Sequence, residues 1–81
     1  MKNAKNIHRS TIIVDSVTYY WDDVEMAYFE TEGSCGSYGA ALDVQGWFSA
    51  WIPPDCCFAQ CGSESFDDPA SAIRQSYSEF S

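Results

Sequence analysis

Two kinds of side chain in this sequence could do chemistry: twelve carboxylates and four thiols, beside a single histidine. Adjacent acids occur at Asp22-Asp23 and at Asp67-Asp68. Paired carboxylates can share a proton in acid–base catalysis or hold a divalent cation. The first pair opens the stretch WDDVEMAYFETE, residues 21–32, where Glu25, Glu30 and Glu32 follow and no base is present. Neither a hydrolase spacing nor a D-x-D-x-D-G calcium frame appears there. The second pair stands just before Pro69. It reads as a helix cap, because a helix N-terminus offers unpaired N–H groups and a dipole that favours anions.

The thiols are Cys35, Cys56, Cys57 and Cys61. Cys57 and Cys61 have a tolerable zinc-ligand spacing, and His8 could add a nitrogen. No C-x-x-C pair occurs, however, and adjacent Cys56 and Cys57 would point to opposite faces of a strand. A catalytic cysteine needs a nearby base and a lowered pKa. His8 is the lone candidate base, and an acidic field raises a thiol pKa. Gly33, Gly36 and Gly39 lack a lysine to meet a phosphate, and Glu30 and Glu32 would repel one. The sequence therefore predicts idle thiols, no metal, no cofactor and no enzyme.

Charge is the stronger signal. The formal net charge is -8, and from Ser10 to Ile73 there is no Lys or Arg. Eleven of the twelve acids lie in that interval, whereas Lys2, Lys5 and Arg9 sit in the first nine residues and Arg74 stands alone. Folded surfaces ordinarily mix signs, because like charges repel. A soluble coat of acids would explain the carboxylates but not the exclusion of bases. Such a surface is repelled by nucleic acid and by anionic membranes, whose partners carry Lys and Arg. Its expected partners are basic protein surfaces. With neither a secretory signal nor a membrane-length apolar run, the expected location is the cytoplasm.

Eighty-one residues with 46% hydrophobic and 16% aromatic content predict one folded domain, over residues 10–81, behind a flexible basic N-terminus over 1–9. Residues 11–14 and 17–21 are β-branched and aromatic runs around Asp15-Ser16, which predicts a hairpin. Residues 22–32 read as a strand with Val24, Met26 and Tyr28 on one side. A helix with Trp21, Val24 and Tyr28 in one stripe is the alternative. Residues 33–39 read as a loop. Residues 40–52 read as a strand with a bulge at Gly46, or else as a short helix. Pro53-Pro54 ends that element, 56–60 could form a short strand, and 62–65 read as a turn. Asp68, Pro69, Ala70, Ile73, Tyr77 and Phe80 mark a capped amphipathic helix. The expected fold is α+β: an antiparallel sheet of three or four strands with this helix packed on it.

If residues 22–32 are extended, Asp23 with Glu25, and Glu30 with Glu32, lie about 6.5–7 Å apart on one face. That is of the order of the spacing between phosphates. In size, acidity, aromatic-rich α+β pattern and lack of catalytic motifs, the chain resembles the small phage-encoded anti-CRISPR proteins of the nucleic-acid-mimic type. The resemblance implies an inhibitor that blocks the DNA-binding groove of a host CRISPR surveillance complex. Phage anti-restriction mimics share this profile, and a non-inhibitory acidic interaction module is the alternative. The expected contact residues are Asp22, Asp23, Glu25, Glu30 and Glu32, extended by Asp43, Asp67 and Asp68. Trp47 and Trp51 could anchor a partner if exposed, although at least one of them is expected to be buried.

Overall fold

The computed structural model describes residues 10–31, 35–55 and 58–80. The N-terminus over 1–9, Glu32, Gly33, Cys56 and Cys57 lie outside the described residues. Six strands follow in order: β1 (Thr11–Val14), β2 (Val17–Asp22), β3 (Ala27–Phe29), β4 (Tyr38–Asp43), β5 (Gly46–Trp51) and β6 (Gln60–Phe66). One helix, α1 (Pro69–Phe80), ends the chain. Every strand pairs antiparallel with its neighbour in sequence, so the sheet is a six-stranded meander, β1-β2-β3-β4-β5-β6. The α+β expectation holds, with more strands than the three or four predicted.

The first hairpin turns where the sequence says it should. Asp15 and Ser16 have φ of 53° and 71°, and Val14 faces Val17 across the ladder. Two consecutive left-handed residues make the turn whose twist matches that of paired strands, and Asp tolerates this conformation better than most residues. The helix also starts as predicted. Asp68 Oδ1 accepts the Ser71 N–H at 2.8 Å, and Pro69 occupies the first helical position. Asp68→Ala should cost about 0.5–2 kcal/mol of unfolding free energy, as other N-cap deletions do. A urea titration that finds no loss would show that the cap contributes nothing.

Three predicted elements are corrected. Within the predicted 22–32 strand, Asp22 ends β2, residues 23–26 form a tight turn ending at Met26 with φ of 56°, and Ala27–Phe29 forms β3. The Asp22 carboxylate closes this turn by accepting the Val24 and Glu25 N–H groups at 2.8 and 3.1 Å. Val24 is 89% exposed, so it packs on neither face of the sheet. The 40–52 run is two strands folded at Val44-Gln45, with Asp43 opposite Gly46. Asp43 Oδ1 takes the Val44 N–H there at 2.7 Å, a local bond that competes with continued strand. The 62–65 turn is the interior of β6, an edge strand whose polar sequence QCGSESF hides its extended form.

Helix α1 covers one face of the sheet. Ala72, Ile73 and Ser76 are buried on Val14, Tyr19, Tyr28 and Ala40, and Ile12, Trp21, Trp47, Phe66 and Ala70 flank this core. Tyr77, a member of the predicted amphipathic helix, is 36% exposed. Its phenol still reaches inward. Its one hydrogen goes to Glu30 Oε1 at 3.0 Å, so at the Tyr19–Tyr77 contact of 2.8 Å it is Tyr19 that donates. Burial raises both phenol pKa values, and the contact with Glu30 raises that of Tyr77 further. A raised folded-state pKa means the proton is held more tightly in the native state. That stability is complete below the unfolded phenol pKa of about 10 and is lost as pH climbs above it. The urea midpoint should therefore stay flat across neutral pH and fall above about pH 10, with a shallower fall in Tyr77→Phe. An equal alkaline slope in both proteins would mean that Tyr77 does not contribute.

The opposite face is covered only in part. Ala27, Phe29 and Ala50 are buried there with Ile52, and Ala41 and Ala59 pack against them. Gly39 sits in this layer because a Cβ there would run into the Tyr28 carbonyl oxygen and the Phe29 ring. The upper part of this face, between Ala41 and β6, is open.

Candidate partner-binding face

A meander alternates its turns between two ends of the sheet. The β2–β3 turn, the β4–β5 turn and the β6–α1 junction therefore share one end. They carry Asp22, Asp23 and Glu25, then Asp43, then Asp67 and Asp68. Neighbouring strands lie about 4.8 Å apart, so alternate turns are spaced by about 10 Å across this end. Six of the eight predicted contact acids are thus brought into one row. Asp23, Asp43, Asp67 and Asp68 are exposed, and Asp22 and Glu25 are half-buried. Several also hold the local backbone, as Asp22, Asp43 and Asp68 do, and Asp23 Oδ1 accepts the Trp21 indole N–H at 2.6 Å. A carboxylate accepts several hydrogen bonds and keeps its charge in doing so.

Glu30 does not belong to this row. It lies beyond β3 at the other end, where one oxygen accepts the Tyr77 hydroxyl and the other the Tyr38 N–H at 3.2 Å. Its role is to tie the β3–β4 connection to the helix. Glu32 is outside the described residues. The spacing of Asp23 and Glu25 along an extended strand is also gone, since both stand in a turn. Arg74, the one base among the described residues, pairs with Asp15 in the β1–β2 turn at 3.0 Å. That hydrogen-bonded contact lowers the Asp15 pKa, and both partners are exposed, so the pair stabilises little. Arg74 also feels the charge of Asp68, but among the described residues no acid of the row forms an ion pair.

Apolar residues share the row, and sequence reasoning missed them. Val24 at the β2–β3 tip is 89% exposed and Val44 at the β4–β5 tip is 97% exposed, with Met26 at 46% beside them. The signal was present as D-D-V-E and D-V-Q, in each case a β-branched residue between polar turn formers. Trp47 and Trp51 are half-buried and packed into aromatic clusters. Trp47 stacks on Tyr28 at 5.7 Å, and Trp51 lies between Tyr38 and Phe80 at 6.2 and 5.5 Å. They support the fold and do not present free rings to a partner.

Beside the row, on the open face, lies a cleft of about 320 Å³ lined by Glu25, Ala41, Leu42, Asp43, Phe48, Cys61 and Gly62. The Cys61 thiol at its wall has a raised pKa. Shielding from water is the main cause, and the charges of Glu25 and Asp43 add to it. Neutralising either acid, as in Glu25→Gln or Asp43→Asn, should lower the midpoint of the Cys61 alkylation profile. An unmoved midpoint would place these carboxylates away from the thiol. Cys35 and Cys61 are exposed residues, the Cys61 thiol being shielded only in part, and among the described residues no three potential ligands gather to hold a metal ion. Among the described residues no helix is long and apolar enough to cross a membrane.

No family model, curated protein or solved structure matches this chain. The face must therefore be understood from its own geometry.

Proposed function

We propose that this protein is a non-catalytic inhibitor whose acidic end occupies a basic nucleic-acid groove of a partner protein. In the specific form that the anti-CRISPR resemblance suggests, the partner is a host CRISPR surveillance complex. One observation carries the reading: three connections from separate parts of the chain bring Asp22, Asp23, Glu25, Asp43, Asp67 and Asp68 to a single end. A coat that served only solubility would gain nothing from such gathering, because scattered charges repel each other less. The acids follow the sheet end in a row. They do not run along one strand, so the mimicry is of a charge track and not of a strand with phosphate-like repeats. The exposed Val24 and Val44 add apolar contacts that a phosphate backbone lacks, and these favour a protein groove over a merely electrostatic encounter.

Competition tests this reading. The protein and the partner's DNA or RNA ligand should exclude each other from one site. Raising salt from about 50 to 200 mM should weaken the protein's binding by about tenfold or more, through screening and counterion release. Simultaneous binding of protein and nucleic acid with unchanged affinities would overturn the proposal. The alternative of a different phage target, such as a restriction enzyme, makes the same prediction with another complex.

A further inference from the structure

The cleft beside the acidic row has a form that charge alone does not explain. Ala27 on β3 faces Ala41 on β4, and Ala41 faces Phe48 on β5. Ala27 is fully buried, and the small Ala41 beside it leaves a trough whose far wall is Phe48. On β6 the ladder is irregular: Phe48 pairs with Ser65 and Ala50 with Cys61, so β6 carries extra residues there and bends away. The trough stays open as a result. Its apolar side chains are those of Ala41 and Phe48, and Glu25 and Asp43 stand on its lining at two different turns.

We propose that this cleft seats one arginine side chain of the basic partner. The inference rests on the reading above and gives the acidic end a specific anchor. An arginine stem can lie on Ala41 against Phe48 while its head reaches the two carboxylates, as long cationic side chains do on apolar surfaces. The planar guanidinium suits a site with an aromatic wall, because it stacks on rings and is more weakly hydrated than an ammonium. It can also address two carboxylates with separate N–H groups. Glu25 makes no ion pair among the described residues, and Asp43 keeps one carboxylate oxygen beyond its bond to Val44. A cation suits the site, since the two carboxylates repel an anion and gain nothing from an apolar group.

The test is an NMR titration of the intact protein with N-acetyl-arginine amide, with N-acetyl-citrulline amide as the neutral probe of nearly equal shape. Saturable shifts should centre on the amides of Ala41, Leu42, Phe48 and Gly62, and citrulline amide should produce none. Glu25→Gln, in an exposed turn, should weaken the arginine probe about threefold, the scale of one partly screened charge contact. Ala41→Phe should fill the trough and abolish saturation, with the remaining amide spectrum in place. An equal response to both probes overturns the proposal. So do non-saturating shifts shared evenly with the Asp15 and Asp55 loops, or unaltered binding in Glu25→Gln. A protein that competes with nucleic acid yet ignores the arginine probe sinks this inference and leaves the functional reading standing. A protein that binds the probe but never competes does the reverse.

Discussion

Ile73→Ala should lower the unfolding free energy by about 2–5 kcal/mol, the range for emptying a core position that cannot collapse. Ile73 is 1% exposed and belongs to the cluster that joins α1 to Val14, Tyr19, Tyr28 and Ala40. Two features make the site intolerant. Its neighbours Ala40 and Ala72 are small and cannot swing into the vacated volume. The aromatic partners are held by other contacts, as Tyr28 is by Trp21 at 5.0 Å and by Trp47. A domain of this size has only about 4–12 kcal/mol to lose, so the variant should melt early or be partly unfolded at ambient temperature. The check is a urea titration with an unchanged slope and a lower midpoint. A loss below about 0.5 kcal/mol would mean that the helix does not dock through this residue.

Reversing acids at two separated points of the row, Asp23→Lys with Asp67→Lys, should weaken partner binding by about a hundredfold or more. Reversal adds repulsion against a basic groove to the loss of attraction. The neutral pair Asp23→Asn with Asp67→Asn should cost only about tenfold, since single exposed charges are screened. Asp55→Lys, on the β5–β6 connection at the other end, should change little. Neither Asp23 nor Asp67 lines the cleft, so this experiment tests the row without disturbing the proposed arginine seat. Equal effects from Asp55→Lys and the double reversal would reduce the acidity to a general field. Far-UV circular dichroism guards the comparison, because Asp23 also holds the Trp21 indole.

Local signals in the sequence were read correctly where the backbone itself demands a residue type. Asp15-Ser16 supplies left-handed tolerance, Asp68-Pro69 supplies a cap and a fixed φ, and both turned out where expected. The misreadings share a physical cause. Val24 and Val44 are β-branched residues at hairpin tips, so they imitate strand interior and conceal the turns at 23–26 and 44–45. The polar β6 did the opposite, since an edge strand can be polar on both faces and leave no alternation to find. These errors propagate. Each unrecognised strand reverses the end of the sheet to which every later residue is assigned. The membership of Asp22, Asp43 and Asp67 in one site therefore depended on strand count, even though each acid was identified. Glu30 stands at the opposite end from the row, and its bond to Tyr77 spans 47 positions, a pairing that no local pattern announces.

The strictly sequential strand order also has a kinetic side. Every ladder in this sheet joins segments adjacent in the chain, and the helix returns onto β4 and β5 without threading past any strand. Little loop entropy has to be lost before the first favourable contact forms, so the barrier is set by local hairpins of the microsecond class. Refolding should be quick for an all-antiparallel sheet, and the Asp15-Ser16 hairpin can grow by adding one strand at a time. Few exposed edges would persist long enough on the way to seed aggregation.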